Sequence, residues 1–179
     1  MAINGVLFDN QKPAAKNIAI AFAPLFTDGF IIGGGLSVEG STIKVGTGVA
    51  VVCGRIVDIS SVQSVSVSGT GIVRVLLTID LNRAASTTEF SQVVLSSETV
   101  ADENEFAPLT QDNINRGGKV YQIELCRYTV SNSAVGTRKR GLPKASPKID
   151  DSNIFMGAYY GDNLPAAGNP GRVFFKKQV

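Results

Sequence analysis

From Gly29 onward the apolar positions of the chain fall at every second residue. Ile43 and Val45 share a face, as do Val49 and Val51, Val57 and Ile59, and Val65 and Val67, with Gly40, Gly46, Gly48 and Gly54 between the runs. A period of two puts alternate side chains on one face of a pleated strand. The clearest run is Gly71 to Leu81: Val73, Val75, Leu77, Ile79 and Leu81 point one way, and Arg74, Thr78 and Asp80 the other. Further strands are expected near 89–96 and 118–130. In the second of these the apolar phase shifts between Leu125 and Cys126, which a bulge or burial of both faces explains.

Before Gly29 the period is helical. Asp9 or Asn10 suits a cap and Pro13 a first turn, and Ala15, Ile18, Phe22 and Phe26 then form one apolar stripe. Pro24 lacks an amide hydrogen, so the helix is expected to end around residues 22–24. Such a stripe must pack on its own domain or on a neighbouring copy. In "IIGGGLSVEGSTIKV" the glycines lead into a strand rather than a helix. Gly33 to Gly35 therefore read as turn residues, not as a phosphate-cradling loop.

Many short strands separated by glycine turns predict an all-β fold: an antiparallel β-sandwich with a short N-terminal helix and an extended C-terminal arm. Residues 1–28 would be the N-terminal arm and helix, 29–135 the sandwich, 136–152 a basic Pro/Gly linker, and 153–179 a strand-forming arm. The linker reading rests on "GTRKRGLPKASPKIDDSN", which combines Gly, Pro and Ser with Arg138, Lys139, Arg140, Lys144 and Lys148. In the last arm, Ile154 to Tyr160 and Arg172 to Lys176 read as two short strands. They would pair with their own sheet or add to another subunit, with Val173 and Phe175, or Phe174 on the other face, as alternate anchors.

Composition narrows the chemistry. Of 179 residues, 44% are apolar and only 18% charged, so much of the surface is expected to be uncharged or covered by partners. A net charge of +2 gives no global field for nucleic acid, and no apolar run is long enough to span a membrane as a helix. Asp9 precedes both lysines of the N-terminal stretch, so no signal peptide is expected, and Cys53 and Cys126 are expected to be buried, reduced thiols.

Histidine is absent, which removes the commonest general base and the commonest zinc ligand. No serine sits in a G-x-S-x-G elbow. Glu98, Asp102, Glu103 and Glu105 lack the spacing of a calcium loop and read as a solvated loop. Asp150 and Asp151 read as capping or exposed residues, and Asp80 as a salt-bridge or turn residue. Tyr159 and Tyr160 are the candidates for stacking on a sugar. No catalysis and no cofactor are expected.

The ordered segments "GGLSVEGSTIKVGTGVAVVCGRIVDI", "VRVLLTIDLNRAASTTEFSQVVLSSET", "PLTQDNINRGGKVYQIELCRYTV" and "PGRVFFKKQV" resemble the tail and baseplate proteins of siphophages that infect Gram-positive bacteria. The resemblance covers residues 29–131. It is to the shoulder region of receptor-binding proteins and to upper baseplate proteins. It implies a β-sandwich, usually a homotrimer, assembled in the host cytoplasm and built into the virion between the tail and the host surface. Other tail or baseplate proteins would be its partners. Because the chain after residue 138 is short for a neck and head, an adaptor, fibre-base or decoration role is expected, with any host saccharide contacted indirectly. On this reading Ile18, Phe22 and Phe26 pack between subunits. Arg138, Arg140, Tyr159, Val173, Phe174 and Phe175 dock on a neighbour. A free carbohydrate-binding module and a head-decoration or head-fibre protein are the alternatives.

Overall fold

The computed structural model describes residues 15–84, 91–148, 159–161 and 174–176. It is all-β and antiparallel apart from one short helix and one parallel strand pair. Helix α1 spans Ala15–Phe22 and is followed by strands β1 (Gly29–Gly33), β2 (Leu36–Glu39), β3 (Thr42–Val45), β4 (Gly48–Val52), β5 (Arg55–Ile59), β6 (Gln63–Ser66), β7 (Gly71–Asp80), β8 (Val93–Val100), β9 (Val120–Ser131) and β10 (Ala134–Arg140). These form sheets of order β1-β4-β5, β2-β3-β6 and β10-β9-β7-β8. Two compact units result, Met1–Pro147 and Lys148–Val179. In the second, β11 (Tyr159–Gly161) pairs in parallel with β12 (Phe174–Lys176), Tyr159 opposite Phe174 and Tyr160 opposite Phe175.

The alternation seen along the chain becomes the inside of the first unit. Ile43 and Val45 of β3, Val57 and Ile59 of β5, and Val73, Val75, Leu77 and Ile79 of β7 all enter one core. From β9 come Ile123, Leu125, Cys126, Tyr128 and Val130. The pairing of β7 with β9 slips between Val75 and Leu76, opposite Leu125, so the phase shift is a β-bulge. On β4 the core residues are Ala50 and Val52, whereas Val49 and Val51 face the other side of that sheet.

Two-residue turns set several of these pairings. Cys53 and Gly54 both have positive φ (50° and 74°), and so do Asn132 and Ser133 (49° and 65°). Left-handed conformations at both central residues give the hairpin turns whose twist matches that of the flanking strands. Gly33 and Gly34, also at positive φ, turn the chain from β1 into β2, with the Gly34 amide donating to the Thr47 carbonyl at 2.9 Å. They start no helix.

Three expectations are corrected. The stretch read as a linker from 136 begins as strand: β10 runs to Arg140, so Arg138, Lys139 and Arg140 belong to an edge strand rather than to a solvated arm. The chain from 143 to 147 is also held, because the Phe30 amide donates to the Pro143 carbonyl at 2.8 Å and the Ala145 amide to the Phe30 carbonyl at 3.0 Å. The strand expected at 89–96 is Val93–Val100, which takes Glu98 out of the acidic loop. Cys126 is buried, but Cys53 is only partly so; neither is joined in a disulfide.

Helix α1 ends where Pro24 requires and packs on β5 of its own chain. Its most buried residue is Ala19, and Ala19 rather than the larger stripe residues meets the β4–β5 turn. A Cβ on Gly54 would collide with the Ala19 carbonyl and lie 2.6 Å from the Ala23 amide nitrogen, at a φ of +74°. Gly54→Ala is expected to cost roughly 2–3 kcal/mol, combining backbone strain with a displaced helix. Gly40→Ala, also at positive φ but with open space around it, should cost only about 1 kcal/mol. Urea unfolding of the two variants measures the difference, and equal losses would mean that α1 is not seated on this turn.

Candidate functional site

The outer face of the four-stranded sheet carries a row of charges. Register places Glu98 of β8, Arg74 of β7, Arg127 of β9 and Arg140 of β10 side by side. Like charges directly opposite on neighbouring strands repel, so Arg74 against Arg127 against Arg140 requires compensation. Arg74, buried, donates through Nε to Glu98 Oε2 at 2.8 Å and through Nη2 to the Ala107 carbonyl at 2.7 Å. Arg127 donates to Glu124 Oε2 at 2.7 Å and to Glu103 Oε2 at 3.2 Å. Arg140 lies 3.8 Å from Glu124 Oε1. Both the Arg74 and Arg127 guanidiniums sit over the Phe106 ring, 4.5 and 5.0 Å from its centre.

Each arginine of the row thus has a carboxylate of its own chain. Lys139 likewise lies 3.9 Å from Glu103. A row paired in this way, four cations against Glu98, Glu103 and Glu124, holds down the 101–107 segment. The predicted partner residues Arg138 and Arg140 are brought together on β10, where Arg138 stands opposite Tyr128. The acidic loop is accounted for locally. Asp102 accepts the Asn104 amide at 2.9 Å, Glu105 accepts that of Ala101 at 3.2 Å, and Glu103 joins the charge row. Asp80 behaves as expected, accepting the Asn82 amide at 3.0 Å and lying 3.5 Å from Arg83. No group of three or more Cys, Asp or Glu able to hold a metal occurs among the described residues.

A second polar cluster pins the β4–β5 turn. Asp28 accepts the Cys53 amide at 2.7 Å on one oxygen and the Tyr121 hydroxyl at 2.7 Å on the other. Asn115, buried, donates to the Cys53 carbonyl at 2.7 Å and accepts from Arg55 at 3.2 Å. These bonds hold Cys53 in a conformation that non-glycine residues seldom adopt. Burial, and then the bond to Asp28, push the Tyr121 hydroxyl pKa upward. Burial, with the charge of Glu124 second, pushes the Cys126 thiol up to about 12.

The remaining feature is partly apolar and partly uncovered. By register, Ile32, Val49, Val51 and Ile56 lie on the outer face of β1-β4-β5 with Asp58 opposite Val49; Val51 at its centre is buried and Val49 half-buried. Ile32 is 69% exposed and Ile56 60%, while Ile31, the bulged residue beside Ile32, is 50% exposed. Helix α1 borders this face: Ile18 and Ile56 line one cavity. Phe22 and Phe26, half-buried, stack with ring centres 6.3 Å apart. Ile18, Phe22 and Phe26 are therefore gathered in and beside α1, next to isoleucines that periodicity did not single out. Val173 lies outside the described residues. Tyr159, Phe174 and Phe175 fall in the β11–β12 pair.

No protein-family model matches the chain, and no curated protein is significantly similar to it. No helix among the described residues is long and apolar enough to cross a membrane.

The Arg74–Glu98 pair is expected to behave as a partly buried ion pair. Glu98→Ala strands a buried guanidinium and should cost about 2 kcal/mol. The double change Arg74→Met with Glu98→Leu should recover most of that loss, since apolar replacement of both partners is nearly neutral. A double-mutant cycle by urea titration measures both. Alkaline stability follows from Cys126 and Tyr121. Both keep their protons in the fold beyond the pH at which the unfolded chain loses them, so the folded state binds more protons there and stability falls as pH rises. The decline should set in above about pH 9, where an ordinary thiol ionises, and continue toward 12. A flat unfolding free energy from pH 8 to 11 would contradict this assignment.

Proposed function

We propose that this protein is a structural subunit of a phage tail, a homo-oligomeric adaptor of the baseplate or tail fibre that joins the tail to host-receptor-binding components. The observation that carries an assembly role is the partly uncovered isoleucine face of β1-β4-β5 beside α1. Single exposed apolar residues are ordinary, but Ile32 and Ile56 share one sheet face, Ile31 lies beside Ile32, and Ile56 lines a cavity with half-buried Ile18; apolar residues gathered on one face mark a contact surface. The place in the tail is supported by the resemblance of residues 29–131 to shoulder and upper baseplate proteins, which are usually trimeric. On this reading the protein assembles in the host cytoplasm and resides in the virion.

In that assembly the isoleucine face meets its counterpart on a neighbouring copy, and the charge row on the opposite sheet stays outside the contact. Size-exclusion chromatography with light scattering should give three times the 18.8 kDa chain mass. Ile32→Lys combined with Ile56→Lys, both at exposed positions, should give a folded monomer. A wild-type monomer at tens of micromolar would overturn the assembly reading. Electron microscopy of particles carrying a tagged copy tests the location, and density on the capsid would exclude the tail and favour head decoration.

A further inference from the structure

We infer that the sandwich has a seam, open among the described residues, along the outer edge of β8 that accepts an extended strand from another polypeptide, with apolar side chains at alternate positions. Two cavities of about 330 and 220 Å³ lie along this seam and share Val57 and Val93 as lining residues. Ile79 and Leu81 line the first, Leu77 and Leu95 the second. The rims belong to β5 and β8, each the last strand of its sheet; Leu77 and Ile79 of β7 lie between them, and Ile18 and Ala19 of α1 close one end of the first cavity.

The backbone phase of β8 suits this role. The Asp80 amide donates to the Gln92 carbonyl at 2.8 Å, which makes Asp80 and Gln92 a hydrogen-bonded pair. In an antiparallel ladder such pairs alternate, so Val94 bonds to Thr78, whereas Val93 and Leu95 turn their N–H and C=O groups away from β7. Val93 and Leu95 are also the β8 residues whose side chains line the seam. An added strand would therefore take main-chain bonds from the same two residues over which its own alternate side chains lie.

The other edge of the sheet is built differently. On β10, Arg138, Lys139 and Arg140 stand on the edge strand, and charge there discourages pairing with another chain. The stretch Val93–Ser96 of β8 has neither charge nor proline. The seam ends at Ser97, whose hydroxyl donates to the Ser66 carbonyl at 2.9 Å. About four residues of an incoming strand fit before that point, at roughly 3.3 Å each. Ile18 and Ile56 border both the first cavity and the isoleucine face, but the strand contact is read at Val93 and Leu95 on the β8 edge, so its failure is distinguishable from a failure to oligomerise.

The probe is a fluorescein-labelled peptide of alternating valine and threonine with a lysine at each end, titrated into the full chain by fluorescence anisotropy. Saturable binding is expected, with amide chemical-shift changes at Val93 and Leu95. The same peptide N-methylated at alternate residues keeps its side chains but cannot complete the ladder, and should bind at least roughly tenfold more weakly. Leu95→Lys should weaken binding similarly. If that variant unfolds, the methylated peptide still decides the matter, because it leaves the protein unchanged. Equal affinity for both peptides would make the seam an apolar cleft without strand pairing and overturn the proposal. Shift changes confined to other strands, or no saturation at millimolar peptide, would overturn it too.

Discussion

The pairing of β7 with β9 organises the first unit, and its one irregularity matters as much as its regular part. Ten residues of β7, Gly71 to Asp80, find partners on β9, with the slip opposite Leu125. In an unbroken strand, residues three apart point to opposite faces. Glu124 and Arg127 are three apart, yet they meet at 2.7 Å on the outer face. The bulge permits this. It also sends both Leu125 and Cys126 into the core, each with no measurable exposure. One extra residue thus adds a side chain to the core while Glu124 stays on the face of Arg127. Were the same residues paired without the slip, Glu124 would turn to the face opposite Arg127.

That carboxylate decides what the outer face can be. Three arginines in one row would form an anion-binding surface if left bare. With Glu98, Glu103 and Glu124 in reach, and Phe106 beneath two of the guanidiniums, the row becomes a clamp on the 101–107 segment. The pairs on this face are only partly shielded from water, so their value lies more in fixing that segment than in net stability. The charges of the face are thereby largely engaged within its own chain.

Periodicity made the inner surfaces legible. The alternation of β7, the end of α1 near Pro24 and the bulge in β9 could all be read from spacing, because each is a local consequence of side-chain direction or of a missing amide. Pairing across the sheet could not. Glu98 reads as part of an acidic loop until Arg74, distant in sequence, is placed opposite it. β10 reads as linker because glycine and a run of basic residues mark both linkers and protected edge strands, and only the partner strand separates the two. Ile32 and Ile56 went unnoticed for a related reason. Ile56 alternates with core residues and Ile32 follows buried Phe30 across a bulge, and a strand apolar on both faces looks like one buried on both.

Strand β5 brings these threads together. Its sequence, Arg-Ile-Val-Asp-Ile, places Val57 and Ile59 in the core and Ile56 in the open, while one long edge pairs with β4 and the other borders the seam. A strand with apolar side chains on both faces and an unpaired edge is only partly satisfied by its own domain. Its position is nonetheless fixed, because Asp28 and Asn115 hold the turn at Cys53 and Ala19 fits against Gly54. A rigid strand left incomplete on its outer face and its edge is a preformed contact element: little conformational entropy remains to be lost on binding. On the assembly reading proposed above, the exposed isoleucines would be covered by a neighbouring copy, and the surface they form is already ordered for that contact.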